Sequence, residues 1–423
     1  MRPLKSFPTT MKVVVVVLIV IGIALLFAQD QETLRVSSAF GAEDREFPTY
    51  TATLVGAELT SGNQYQVLTN GVRFLPAMLD AIRGAKRRIS FETYIYGKGE
   101  VAGQFTTALA DAAHRGIEVR LLVDAVGAKD MEAEHAARLR EAGVRIGTFN
   151  PLRWYNIEEI NYRTHRKILV VDGAVGFTGG AGVADHWQGN ADSPDHWRDT
   201  HLQVTGPVVS QLEAAFYENW LETGHANAPA LDLPPPAMEP LAGSLVVRSS
   251  PTGGSNAVKL LYLLSIAGAR RSIDLQSPYV VLDESTRYVI LEARRRGVRV
   301  RMLVEGQMTD ALPVKYAGRA AYDELLSAGV RIAEYQPTMM HVKATVVDDV
   351  WSIVGSTNFD NRSFELNDEI NVAIADRGIA RRLLSDMDAD WHQSREISLD
   401  AWRSRSINEK GRERLWSAFG ELF

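Results

Sequence analysis

One uncommon pattern, His-x-Lys followed by four residues and an Asp, occurs twice in this chain. The first copy is His165, Lys167 and Asp172 in THRKILVVDG, and the second is His341, Lys343 and Asp348 in MHVKATVVDD. Each sits in a short apolar run, and a turn of small residues follows, Gly179-Gly180 in one case and Gly355-Ser356 in the other. The copies belong to a longer internal repeat. AIRGAKRRISFETYIY (81–96) resembles SIAGARRSIDLQSPYV (265–280), AAHRGIEVRLLVD (112–124) resembles EARRRGVRVRMLVE (292–305), and LREAGVRIGTF (139–149) resembles LLSAGVRIAEY (325–335). Beyond the motifs, Trp220 and Trp391 end similar helical stretches. A chain that repeats itself at this length folds as two related units. Each half alternates strand and helix, which predicts an α/β fold with helices flanking a sheet.

The residue types point to phosphodiester chemistry. Lysines aimed at the free oxygens of a phosphodiester offset the charge that repels nucleophiles. A neutral imidazole can attack phosphorus and divide one difficult displacement into two easier ones. A second imidazole can protonate the departing alkoxide and later deprotonate the incoming alcohol or water, and an ordinary pKa near 6.5 suits both duties. The branched apolar residues of HRKILVVD and HVKATVVD predict buried strands, on which His and Lys two apart face one side. A pseudo-twofold axis between the halves would bring both pairs to one phosphate, placing the active site at their interface.

These features resemble the phospholipase D superfamily, and within it the bacterial cardiolipin synthases, from about Tyr65 to the C-terminus. The blocks that carry the resemblance are GSTNFDNRSFELNDEINV (355–372), HRKILVVDGAVGFTGG and WRDTHLQVTGPVV. The resemblance implies two phospholipase D-like α/β domains, 45–225 and 245–423, joined by a Pro-rich linker at 226–244. It implies His165 as nucleophile, His341 as general acid, and Lys167, Lys343 and Asn358 as ligands of the phosphate oxygens, with Ser356 and Gly180 shaping the turns. Glu369 and Asp199 match carboxylates that orient His165 and His341. Asp172 and Asp348, grouped with the catalytic set, are expected to hold the motif's conformation. The family pattern places Asn where this chain has Gly182, so a backbone N–H or another first-half residue must substitute, or the phosphate is held asymmetrically.

The activity so implied is phosphatidyl transfer to phosphatidylglycerol through a phosphohistidine, with phosphatidylethanolamine as a further lipid candidate. A phospholipase D using water is the alternative, and a superfamily nuclease a more distant one. Net charge of −6 argues against a polynucleotide partner. The remaining histidines show no metal-ligand spacing, and a covalent-histidine mechanism implies no cofactor. Arg270-Arg271 and Arg294 to Arg296 read as solvated surface or as contacts to anionic headgroups. The insertion FNPLRWYNIEEINYR before the first motif reads equally as packed structure or as a substrate-facing loop, while the loop carrying His186, Trp187, His196 and Trp197 reads first as packed structure and second as a wall of the headgroup pocket.

Residues 1–30 form a separate segment. Val13 to Ala28 is an uncharged apolar run at the short end of a membrane span. Leu26 stands where a cleavable signal would carry a small residue, which favours an uncleaved anchor over a signal peptide. Arg2, Lys5 and Lys12 before the run, with Asp30 and Glu32 after it, orient the N-terminus to the cytoplasm and the body to the far side of a bacterial inner membrane. Zero cysteines fit that compartment.

Overall fold

The computed structural model describes residues 33–151, 161–225, 231, 243–250 and 256–420. The apolar run 13–28, most of the Pro-rich join and most of the insertion before the first motif lie outside them. Among the described residues no helix is long and apolar enough to cross a membrane.

The strands are β1 (Gln64–Thr69), β2 (Arg88–Thr93), β3 (Glu118–Asp124), β4 (Arg145–Phe149), β5 (Arg163–Thr164), β6 (Ile168–Val171), β7 (Val175–Gly179) and β8 (Thr200–Thr205). The second half adds β9 (Ser244–Ser249), β10 (Ser272–Gln276), β11 (Arg299–Val304), β12 (Arg331–Tyr335), β13 (Ala344–Val347), β14 (Trp351–Gly355), β15 (Asn367–Ala375) and β16 (Ser394–Glu396). The first sheet runs β1-β8-β7-β6-β2-β3-β4. The second runs β9-β15-β14-β13-β10-β11-β12, with β16 added beyond β12 and β5 added to β15. Strand order and pairing sense match step for step. β2, β3 and β4 are mutually parallel, as are β10, β11 and β12, and every other pair in the matching set is antiparallel.

The central strands ILVV (β6) and ATVV (β13) are buried at every position, as expected where both faces of a sheet are covered. Each leads through a three-residue connection into the next strand, with a tight turn at its start. Asp172 and Gly173 have φ +57° and +67°, and Asp348 and Asp349 have +52° and +56°. Positive φ at both central residues is the turn whose twist matches a hairpin, and Asp tolerates it.

The halves share one core. Leu122, Val170, Leu202 and Trp220 from the first half pack in the same buried cluster as Val246, Val346, Ile370 and Leu383 from the second. The helices Val208–Glu222 and Arg377–His392 supply much of it. A fully buried large side chain contributes roughly 1.5–3 kcal/mol, against ~0–1 kcal/mol for an exposed ion pair. Packing therefore holds the two sheets together and fixes what lies between them.

Candidate active site

The strand expected over each motif begins later than the apolar run suggests. His165 and Lys167 precede β6, and His341 and Lys343 precede β13. The reason is that these residues pair with the opposite half. Arg163 and Thr164 align in parallel with Asn367 and Asp368, and the His165 N–H donates to the Asp368 carbonyl at 2.9 Å. In the mirror relation, Met340 bridges Arg198 and the His341 N–H donates to the Arg198 carbonyl at 2.8 Å. The next residue on each partner strand is the carboxylate, Glu369 in one case and Asp199 in the other.

Each carboxylate is thus delivered across the interface to the other half's histidine. His165 Nδ1 lies 2.9 Å from Glu369 Oε1, and His341 Nδ1 lies 3.0 Å from Asp199 Oδ2. A carboxylate only accepts, so each Nδ1 carries the proton and each Nε2 presents a lone pair. The ammonium groups fold back along their own motifs, Lys167 Nζ to the His165 carbonyl at 2.6 Å and Lys343 Nζ to the His341 carbonyl at 2.8 Å. The Tyr94 ring stands edge-on to His165 at 5.2 Å, with Lys167 Nζ 5.4 Å from its centroid.

Burial and mutual repulsion set the charge state. His165 is 8% exposed, Lys167 3%, His341 6% and Lys343 1%. Burial holds the His165 imidazole down at about 4, with Lys167 and Lys343 reinforcing it against Glu369. His341 is held well below the usual range by burial, then by Lys343, Lys167 and His165. Burial brings Lys167 down to about 7 and Lys343 to about 8. Burial alone would raise Glu369, yet His165, Lys167 and Ser356 hold it low. The centre is a cluster of suppressed cations, and an anion entering it relieves that suppression.

The carboxylates are anchored differently in the two halves. Ser356 Oγ donates to Glu369 Oε2, so this serine serves the carboxylate as well as the turn. Its first-half counterpart is Gly180, where a Cβ would lie 2.4 Å from Asp199 Oδ1 and 2.7 Å from the His341 carbonyl oxygen. The indole of Trp187 takes over, donating from Nε1 to Asp199 Oδ2 at 2.9 Å while the Thr200 N–H donates to Oδ1 at 2.7 Å. The same ring explains Gly182. A Cβ there would meet Trp187 Cζ3 at 3.1 Å and Ile95 Cβ at 3.0 Å, so the indole fills the space an Asn would need. Asn358, the second-half equivalent, is buried, and its Oδ1 makes no hydrogen bond among the described residues.

Two motif residues stand apart from this centre. The Asp172 carboxylate accepts the backbone N–H groups of Lys86, Arg87 and Arg88, and Asp348 accepts those of Arg270, Arg271 and Ser272. Four residues of strand separate each from its lysine, a span of roughly 15 Å. They tie hairpin turns to the neighbouring strands and do not belong with the groups that face a substrate. The arginines read as surface are likewise engaged. Arg271 donates to the Asp348 carbonyl at 2.5 Å, Arg270 pairs with Asp44, and Arg296 donates to the Ala267 carbonyl at 3.1 Å.

Sequence reasoning passed over Arg166, the variable residue of the first motif. Fully buried, it donates to the Ala215 carbonyl at 2.8 Å, to Asn219 Oδ1 at 3.1 Å and to the Ser249 carbonyl at 2.8 Å. It bolts the motif to the helix Val208–Glu222 and to β9 of the other half. Among the described residues no group of three or more His, Asp or Glu is placed to hold a metal ion.

Comparison with known proteins agrees with this architecture. A family profile described as "Cardiolipin synthase, PLD-like domain" matches residues 78–220 and 262–391. Cardiolipin synthase 2 of Bacillus anthracis is 34% identical over 385 residues, 90% of this chain and 72% of that protein. Cardiolipin synthase A of Pseudomonas putida (strain GB-1) is 34% identical over 341 residues, 80% of this chain and 71% of that protein. The crystal structure of phosphatidylserine synthase from Haemophilus influenzae Rd KW20 shares the fold, with a TM-score of 0.67 over 89% of this chain and 100% of that one at 14% identity. With the family profile spanning both halves and these relatives matched over most of their length, the chain belongs to the cardiolipin synthase, PLD-like domain family.

Proposed function

We propose that the protein is a phosphatidyltransferase that forms cardiolipin from phosphatidylglycerol. The observation that carries this reading is the crossed pair of carboxylate–histidine contacts, which sets two imidazoles and two lysines in one buried centre. His165 Nε2 attacks the phosphorus of a glycerophospholipid while Lys167, Lys343 and the Asn358 amide hold the non-bridging oxygens. The bound anion raises the proton affinity of His341, which protonates the departing alcohol. The phosphatidyl-histidine then reacts with the headgroup hydroxyl of a second phosphatidylglycerol, whose proton passes to His341. Glu369 and Asp199 hold the imidazoles in the reactive tautomer and stabilise positive charge as it develops.

The body comprises two phospholipase D-like units, 45–225 and 245–423, joined at 226–244. The run 13–28 acts as an uncleaved anchor that keeps the catalytic body on the extracytoplasmic face, near its lipid substrates. Product analysis by mass spectrometry tests the reading. The full-length protein with phosphatidylglycerol vesicles should yield cardiolipin and glycerol, and a His341→Ala variant neither. Phosphatidic acid without cardiolipin would make it a hydrolase instead, and no lipid product would overturn the lipid assignment.

A further inference from the structure

In-line displacement at phosphorus sets the departing and arriving alcohols on the side opposite the nucleophile. With His165 as nucleophile, that is the side His341 serves, so the alcohol lies against the second half. Tyr279, just after β10, faces His341 edge-on with ring centroids 6.4 Å apart. Its hydroxyl donates to the Asp310 carboxylate. That carboxylate is close enough to bias Tyr94 of the first half as well as Lys343 and Tyr279 of the second, so it lies over the cleft between the halves. Glu305, directly after β11, is within electrostatic reach of the same Lys343 and Tyr279.

Glu305 is the anomaly. It is 3% exposed, and neither carboxyl oxygen has a hydrogen-bond partner among the described residues. Thr309 makes only a weaker contact with it. A buried carboxyl left unsatisfied is costly unless something arrives to complete it. The equivalent first-half residue is fully engaged. Ser90 in β2 pairs with Val170 and Arg120, and Asp274 in β10 pairs with Val346 and Arg301. Arg120 and Arg301 are therefore equivalent, and counting on from them Asp124 matches Glu305. Asp124 accepts the Val126 and Gly127 N–H groups at 2.8 and 3.0 Å and the Thr164 N–H at 3.1 Å. The repeat keeps an acid at this point, binds it to the backbone in one half and leaves it without a partner in the other.

Charge narrows the ligand. Burial pushes Glu305 up to about 8. Near neutrality its carboxyl is mostly protonated, with an O–H to donate and a second oxygen to accept. Lys315 and Lys343 lie near it and disfavour a cation. A neutral hydroxyl, donor and acceptor at once, fits such a group.

We infer that Glu305 and Asp310 form an alcohol subsite, which binds the hydroxyl on the carbon next to the reacting oxygen of a vicinal diol. The inference deepens the transferase reading. The glycerol that leaves and the phosphatidylglycerol headgroup that arrives both carry that hydroxyl. Glu305 and Asp310 select the alcohol, while His341 moves its proton.

The test is a competition between donors. Vesicles hold equal amounts of phosphatidylglycerol with ordinary chains, and of phosphatidylpropanol and phosphatidylethanolamine with two different sets of deuterated chains. The full-length protein transfers from each donor to phosphatidylglycerol, and the mass of the cardiolipin reports which donor was used. Wild type should favour phosphatidylglycerol over phosphatidylpropanol, whose alcohol lacks the second hydroxyl. Glu305→Met and Asp310→Ala should each cut that preference at least about fivefold. Glu305→Gln, which still donates and accepts, should stay within about twofold of wild type. Asp310 is exposed, so its variant carries the test should Glu305→Met fail to fold. An unchanged ratio in a folded Glu305→Met or Asp310→Ala variant would overturn the subsite. A wild-type preference for phosphatidylethanolamine that these variants abolish would also overturn it, as the mark of a cation site. Wild-type protein that makes only phosphatidic acid would overturn the transferase reading alone, because the masses of that product report the same donor ratio.

Discussion

His165 Nδ1 and Glu369 Oε1 stand 2.9 Å apart although the two residues belong to opposite halves of the chain. The parallel alignment of Thr164 with Asp368 makes them neighbours. The same device, reversed, pairs His341 with Asp199. Neither motif histidine takes its carboxylate from its own half. A Glu369→Gln variant keeps the shape and loses the charge that stabilises the imidazolium. Steady-state assays should show kcat reduced on the order of 10²- to 10³-fold with little change in melting temperature. Retention of full activity would remove the orienting role.

Trp187 should behave as a positioning residue for the other pair. Trp187→Phe removes the N–H that Asp199 accepts and keeps most of the ring that fills the space beside Gly182. A hydrogen bond to a charged group contributes about 1.5–3 kcal/mol, so kcat should fall about ten- to a hundredfold. The alkaline limb of the rate profile should move, because His341 loses a well-held counter-charge. Gly180→Ser is not expected to rescue it, since a Cβ at 180 would collide with the Asp199 carboxylate. Loss of stability with an unchanged pH profile would mean that the indole only packs.

Much of this architecture is legible from residues alone. The repeated Arg-Gly-x-x-Val-Arg and Ala-Gly-Val-Arg-Ile segments became β3 with β4 and β11 with β12, because branched residues after a helix-ending Gly leave little choice but a strand. Glu369 and Asp199 could be named through family resemblance, and no local pattern marks them, since their partners lie in the other half. Trp187 was hidden for a related reason. The glycines at 180 and 182 signal that something is missing from the usual pattern, while the group that replaces it comes from a loop whose path only the fold determines. Arg166 was passed over because a charged residue between His and Lys reads as solvent-facing, and its burial depends on carbonyls from two distant segments. The late start of β6 and β13 has the same origin, a backbone pairing between halves that apolar periodicity does not encode.

The turn aspartates should matter to stability and not to chemistry. Asp172→Asn and Asp348→Asn keep a residue that tolerates positive φ and lose the charge that gathers three backbone N–H groups. Charge-assisted hydrogen bonds are the stronger kind. Each substitution should lower stability by about 2 kcal/mol, as read by denaturant titration. Activity per folded molecule should change less than threefold. A large kcat loss in stably folded variant would place these residues in the chemistry after all.

The buried imidazole and lysines of the centre should contribute less to stability as pH is lowered. His165 is held at about 4 against an ordinary 6.5, and Lys167 at about 7 and Lys343 at about 8 against 10.5. Between each pair of values the unfolded chain binds more protons than the folded one, so these groups make stability rise with pH. The lysine contribution is lost from pH 10.5 down to about 7, and the histidine contribution from 6.5 down to about 4. Lys167→Met, which removes a buried charge, should raise the melting temperature near pH 6 by roughly 2–4 °C while abolishing turnover. A lower melting temperature would contradict the assigned charge state.

The most direct test of the central claim is to trap the covalent intermediate. Enzyme mixed with phosphatidylglycerol would be quenched within milliseconds in alkali, digested and mapped by mass spectrometry. A phosphatidyl adduct on the peptide carrying His165, and none on the peptide carrying His341, is the expected result. Cardiolipin formed with no adduct on His165, or an adduct confined to His341, would contradict the account.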